Sequence, residues 1–179
     1  LNIPQEANEI NEKFAIGTNY CLFHPVSRRE TKLWKKDAFA KLIDHYSNQG
    51  LKVVLTSGPD LSEIQYLKDI EELANTKVIN LGGKTSLIEL AALIKESKFF
   101  IGLDSVASHI AAAVEASGVT LFGPSNSVNW RPWSDKVSII ARGQEEFCQT
   151  HGHMEGKYKK CLCYISVERV IEEVDRLIN

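Results

Sequence analysis

The stretch that decides the fold runs from residue 99 to residue 133, FFIGLDSVASHIAAAVEASGVTLFGPSNSVNWRPW. Phe99, Phe100 and Ile101 run into Gly102. From Asp104 onward apolar residues recur at Val106, Ile110, Ala113 and Val114 before a stop at Ser117-Gly118. That is the pattern of a strand, a turn and an amphipathic helix. A second apolar run, Val119 to Phe122, follows at once and is closed by Gly123-Pro124. Strand, helix and strand at this spacing make a right-handed βαβ unit. It brings the strand ends and the helix start to one edge of a parallel sheet, the edge at which such sheets bind ligands.

The same alternation continues outward. Short apolar runs at residues 20–23, 51–56 and 78–81 are each followed by turn residues and then by apolar residues at helical spacing. The first such helix carries Phe39, Leu42, Ile43 and Tyr46 and stops at Gly50; the second carries Ile64, Leu67, Ile70 and Leu73. The third, over 87–95, is introduced by Ser86 with Glu89 three residues on, a capping box. A last strand over 137–140 and a helix over 166–178, striped by Val167, Val170, Ile171, Val174 and Ile178, complete the pattern. The fold class expected is α/β, a Rossmann-like parallel sheet of about six strands with helices on both faces. Residues 1–18, polar and interrupted by Pro4, read as a linker remnant, and residues 19–179 as one domain that includes the carboxyl-terminal helix.

A chain of 179 residues, 44% hydrophobic and with net charge −2, has enough apolar material for one core and no basic excess to suggest nucleic acid. It contains no transmembrane-length apolar run and no signal peptide. Four cysteines are too few for a disulfide framework at this length. The first residue is Leu rather than Met, and the chain is expected to be a domain of something larger.

The chemistry concentrates at the edge just described. Asp104 suits an N-cap, and the amides of Ser105, Val106 and Ala107 would then face a ligand with the positive end of the helix dipole behind them, a place for a phosphate. Ser105 adds a hydroxyl. His109, one turn on, either donates to a ligand oxygen or anchors a neighbouring loop. The loop after residues 20–24 reaches the same edge. Its Ser27, Arg28, Arg29 and Lys32 offer the cations and hydroxyl that a diphosphate needs, or else form a solvated basic loop. Asp60 ends the turn Ser57-Gly58-Pro59-Asp60 and is either a cap or a ligand contact. Gly83-Lys84-Thr85 does not close a P-loop, because the position five residues before Gly83 is Val78. Trp130, Arg131 and Trp133 either wall a sugar or base or pack their loop onto the domain. Cys148, His151, His153, Cys161 and Cys163 hold enough soft ligands for zinc, but at a spacing that fits no standard finger. An incidental loop without metal is the first reading and a structural zinc the second.

GLDSVASHIAAA followed by VTLFGPSNSVNWRPW resembles the nucleotide-sugar-binding signature of the bacterial lipopolysaccharide heptosyltransferases, glycosyltransferase family 9 of the GT-B class. That signature is D-[ST]-G-x-x-H-x-x-A-A, a hydrophobic strand and F-G-P-[ST]. Asp104, Ser105, His109, Ala112, Ala113, Phe122, Gly123, Pro124 and Ser125 match it; Val106 departs, standing where the family more often has Gly. HPVSRRETKLWKK resembles the family segment H-P-x-[ST]-x…K-x-W, whose Lys contacts the diphosphate; here that is Lys32. Arg28 and Arg29 both stand near the position of a family Arg. The resemblance further implies that Asp60 or Glu63 approaches the ribose and that the backbone around Thr85 reads the adenine edge. VVLTSGPD and WRPW most resemble the branch that adds a third, branching heptose.

What the resemblance implies is a carboxyl-terminal donor-binding domain. The donor substrate would be ADP-heptose, with no cofactor, and transfer to the lipopolysaccharide inner core would proceed with inversion. The catalytic base would be an Asp on an amino-terminal domain that also receives the acceptor, so this chain alone would bind donor weakly and turn over nothing. The binding set would be Ser27, Arg28, Lys32, Ser57, Asp60, Thr85, Asp104, Ser105, Val106 and His109. The enzyme would be cytoplasmic, with a peripheral place at the inner face of the inner membrane. The rival readings are a stand-alone nucleotide-sugar-binding or epimerase-type module and a flavodoxin-like scaffold with no catalytic role.

Overall fold

A computed structural model of the chain describes residues 7–123, 125–141 and 162–178. Among them, six strands form one sheet of order β3-β2-β1-β4-β5-β6, every neighbouring pair parallel. They are β1 (Tyr20–His24), β2 (Lys52–Ser57), β3 (Ile79–Gly82), β4 (Phe100–Leu103), β5 (Gly118–Phe122) and β6 (Val137–Ala141). The chain starts at the centre, builds outward to β3, then returns to lay β4 on the other side of β1. The order therefore reverses between β1 and β4, the crevice where a doubly wound sheet takes its ligand.

The helices between the strands are α2 (Lys36–Asn48), α3 (Leu61–Leu73), α4 (Leu87–Glu96), α5 (Val106–Ala113), the single turn α6 (Ser127–Trp130) and α7 (Val167–Ile178). Strand side chains alternate between two cores. Cys21, Phe23, Val53, Leu55, Ile101 and Leu121 face the α2, α3 and α7 side, while Tyr20, Leu22, Val54 and Phe100 face α4 and α5. The four inner strands β2, β1, β4 and β5 are buried on both faces, which is why their sequences read as continuous apolar runs, while the edge strands β3 and β6 are only partly covered. Trp34 lies edge-on to Phe39 at 5.0 Å and donates its indole N–H to the Ile165 carbonyl at 3.1 Å, tying the loop after β1 to the segment that leads into α7. Val170 and Val174 of α7 are fully buried in this same core.

Three local features differ from the sequence reading. The segment before Asn19, read as a connection, contains a helix, α1 (Ala7–Phe14), whose Ile10 is buried beside α4 and whose Lys13 pairs with Glu89 at 2.5 Å. Helix α5 stops not at Ser117-Gly118 but three residues earlier, where Glu115 takes a left-handed conformation, φ 59°. Gly118 instead opens β5, because a Cβ there would lie 2.6 Å from the Phe100 carbonyl oxygen in the adjacent strand. The third difference, at the start of α5, bears on the site.

A cleft at the carboxyl edge of the sheet

The cleft is built from the loops that leave the carboxyl ends of β1, β2, β3, β4 and β5. Its volume, about 1790 Å³, exceeds the ~300–1,000 Å³ of an ordinary small-molecule pocket, so it is an open trough able to hold an extended ligand. All ten residues singled out from the sequence line it. Ser57 and Asp104 are buried in its floor, Ser27, Lys32, Thr85 and Ser105 are half-buried in its walls, and Arg28, Asp60, Val106 and His109 are exposed at its rim. Arg28 and Arg29 both line it and both are exposed, so the two candidates for one basic position sit at the same mouth.

The start of α5 corrects the expected cap. The N-cap residue is Ser105, extended at φ −151° and ψ 176°, with no side-chain cap bond, and the helix begins at Val106. Asp104 does not cap. Its carboxylate receives the Lys32 ammonium at 2.6 Å, and the two side chains are only 9% and 19% exposed. This pair spans 72 positions of sequence and bridges the loops after β1 and β4 across the switch point. Local spacing favoured Asp104 as cap because both residue types cap well, and the distant lysine that claims the carboxylate is invisible to any window around the helix.

Freed of a capping carboxylate, the helix start keeps its donors. The amides of Val106 and Ala107 have no backbone acceptor among the described residues; the first turn closes only with Ser108 N–H to the Ser105 carbonyl at 3.2 Å. The Ser105 hydroxyl oxygen is buried and has no hydrogen-bond partner among the described residues. Unsatisfied donors at a helix start, the dipole behind them, a hydroxyl and a held ammonium are the chemistry that an anion site needs. The Val106 side chain, 55% exposed, points away from the packed interior, and its backbone N–H is unaffected by the branch.

The walls are held by local chemistry. Asp60 caps α3, accepting from Ser62 N–H at 2.8 Å and Ser62 O–H at 2.6 Å; those bonds hold its carboxyl below the usual range. Glu63 accepts from Gly58 N–H at 2.9 Å. Both acidic candidates thus serve their own turn while they line the cleft. The capping box of α4 is complete, Ser86 and Glu89 each bonding the other's backbone N–H. The turn before it depends on Gly83, at φ 70°, where a Cβ would come within 2.7 Å of the Ile64 side chain. That turn carries Thr85 to the cleft.

Sequence reading passed over His24, the buried last residue of β1, which lines the floor with its Nδ1 at 3.0 Å from Thr56 Oγ1. Burial pulls its pKa down from 6.5 to about 4, so the ring is neutral at physiological pH. Its strand pattern marked it as core, whereas Pro25, ending the strand, and the family segment H-P-x-[ST] that His24 opens hinted at an edge position. Trp130 lines the cleft at 63% exposure and Trp133 projects to solvent at 94%, so neither tryptophan packs down onto the domain, although Pro132 between them is buried. Cys148, His151, His153 and Cys161 lie outside the described residues, as does the side chain of Cys163. Among the described residues no cluster of His, Cys, Asp or Glu could hold a metal, and no helix is long and apolar enough to cross a membrane.

A model of glycosyltransferase family 9 (heptosyltransferase) matches residues 2–161. Lipopolysaccharide heptosyltransferase 3 of Escherichia coli K12 is 35% identical over 168 residues, which is 93% of this chain and 48% of that protein. Lipooligosaccharide heptosyltransferase 2 of Haemophilus influenzae is 32% identical over 152 residues, 82% of this chain and 43% of that protein. The solved structure of the E. coli ADP-heptose lipopolysaccharide heptosyltransferase II superposes with a TM-score of 0.82 at 26% identity, covering 98% of this chain and 51% of the other. The chain spans about half the length of the relatives it matches.

Proposed function

This chain belongs to glycosyltransferase family 9, the heptosyltransferases, and on that premise we propose that it is the donor-binding half of an enzyme moving heptose from ADP-heptose to the lipopolysaccharide inner core. One observation carries the reading: Lys32 Nζ is held 2.6 Å from Asp104 at the start of α5, so a mobile cation is fixed beside unsatisfied helix amides. A relative whose printed name includes ADP-heptose shares the fold over 98% of this chain and supports ADP-heptose as the donor. The epimerase-type reading loses its ground, because the family is one of transferases.

In this scheme the acceptor hydroxyl attacks the anomeric carbon of heptose while the bond from that carbon to the diphosphate oxygen breaks, inverting the centre. Negative charge grows on the departing ADP, and Lys32, the Ser105 hydroxyl and the amides of Val106 and Ala107 stabilise it where it forms. Asp104 is the positioning residue for Lys32. Arg28 and Arg29 at the rim draw in the polyanionic donor. The proton of the acceptor passes to a base on the half of the relatives' length that this chain does not span. Because the acceptor is a lipid, the whole enzyme works against the inner face of the inner membrane.

Thermal melting tests the donor assignment. ADP and ADP-heptose at ~100 times their dissociation constants stabilise the fold by about 2.7 kcal/mol, while UDP and UDP-glucose leave the melting temperature unchanged. Equal stabilisation by the UDP ligands contradicts the donor assignment. No shift with any nucleotide favours a scaffold without a nucleotide site.

A further inference from the structure

His24 has no part in the phosphate chemistry above, yet it stands at the centre of the cleft floor. It ends β1 in register with Gly102 of β4, at the point where strand order reverses. It is 5% exposed, and it lines the cleft. Its Nδ1 is 3.0 Å from Thr56 Oγ1, and the Thr56 hydroxyl donates to the Phe23 carbonyl at 3.3 Å. A hydroxyl has one proton to give. With that proton directed at Phe23, the bond between His24 and Thr56 is donated by Nδ1–H, and a neutral ring then carries Nε2 as a bare acceptor. Nε2 has no partner among the described residues, and it is absent from the buried unpaired atoms, so it keeps contact with the cleft. Buried polar atoms are as a rule paired with protein or ordered water, so an Nε2 left open to the cleft is free for a ligand group.

A bare Nε2 gives nothing to a phosphate oxygen, which is itself an acceptor. It does suit a hydroxyl. We infer that His24 Nε2 accepts a hydrogen bond from a sugar hydroxyl of the bound nucleotide sugar, with Thr56 as the positioning residue that fixes the ring tautomer. The inference rests on the donor-binding reading and adds a contact that distinguishes hydroxyl-bearing ligand from phosphate alone. The hydroxyl belongs either to the ribose or to the transferred sugar, and the two sources separate experimentally.

The test is a set of calorimetric titrations of ADP and ADP-heptose into wild type, His24→Phe and His24→Gln, each checked for an unchanged fold by circular dichroism. Losing this one hydrogen bond in His24→Phe weakens ADP-heptose about tenfold, and His24→Gln, whose amide oxygen replaces the acceptor, recovers most of it. If ADP weakens equally, the hydroxyl is on the ribose; if ADP is unaffected, it is on the heptose. His24→Phe binding both ligands as wild type does overturns this inference alone, whereas wild type binding neither overturns the donor reading as well. A second measurement needs no variant at position 24. Nitrogen-15 spectra of the histidine side chains should show His24 protonated at Nδ1, switching its proton to Nε2 in Thr56→Val. Protonation at Nε2 in the wild type overturns the inference whatever the variants do.

Discussion

Two aspartates divide the molecule by purpose. Asp44, on α2, accepts four hydrogen bonds from the loop after α3: from Asn75 N–H at 2.8 Å, Asn75 Nδ2 at 2.7 Å, Thr76 N–H at 2.9 Å and Thr76 O–H at 2.9 Å. Asp104, at the end of β4, meets a single cation, and next to it the Ser105 hydroxyl and the amides of Val106 and Ala107 are left over. Around Asp44 the protein satisfies its own groups, and the junction of α2 with the loop after α3 is finished by folding. Around Asp104 folding assembles donors that no group among the described residues uses. The difference separates a carboxylate whose bonds the protein completes from one that stands beside unused donors, and neither burial nor residue type alone would have drawn it.

Lys32→Ala should break the contrast most sharply. Removing a charged hydrogen-bond donor from the diphosphate costs ~1.5–3 kcal/mol, so affinity for ADP-heptose by calorimetry falls roughly 10- to 150-fold; the melting temperature falls as well, because the buried Asp104 carboxylate loses its cation. An unchanged affinity would assign the pair to stability after all. Asp44→Ala should instead act on stability alone, lowering unfolding free energy by about 1–3 kcal/mol in denaturant titrations and leaving donor affinity as it was. Burial alone would raise the Asp44 pKa, but the bonds from Asn75 and Thr76 outweigh it and bring the value below 3.8. A depressed carboxyl stabilises the fold above its unfolded value and loses that contribution as pH falls through the folded one. Denaturant curves between pH 5 and pH 2 should therefore be flatter for Asp44→Ala than for wild type.

Smaller effects sharpen the same line. Ser86→Ala removes half of a capping box and should cost ~1 kcal/mol of stability, read as a lower melting temperature. Glu89 in that box is held at about 2, first by Lys13 and then by Ser86. Its contribution is complete above 4.5, its ordinary value, and is lost as pH falls toward 2. Val106→Gly should change donor affinity less than about twofold, because the backbone N–H is the same in both, while losing roughly 0.5 kcal/mol of helix propensity. A large gain in affinity would mean that the branched side chain obstructs the ligand.

The sheet was legible because two-sided burial writes itself as apolar runs, and every strand from β1 to β6 was placed within two residues of its position. Caps at Asp60 and Ser86 were legible because they are local, the bonded groups lying within three residues. The start of α5 was not, since Asp104 is claimed by Lys32 from another loop and Ser105 takes over as cap. Helix α1 was missed because Asn and Pro near the chain start suggest irregular backbone, while the cluster that buries Ile10 is made mostly by residues far along the sequence. His24 was hidden for a related reason: a residue at the end of a buried strand looks like core until the topology shows that the strand ends at the switch point. The cleft's residues were gathered through their family pattern; their geometry came only with the fold.

The most direct test of the central claim is an amide proton–nitrogen spectrum of the chain titrated with ADP. The largest shifts should fall at Ser105, Val106 and Ala107 and in the loop that carries Lys32, with Asn75 and Thr76 unmoved. Saturable binding that leaves residues 105–107 unperturbed, or that moves Asn75 and Thr76 instead, would contradict it.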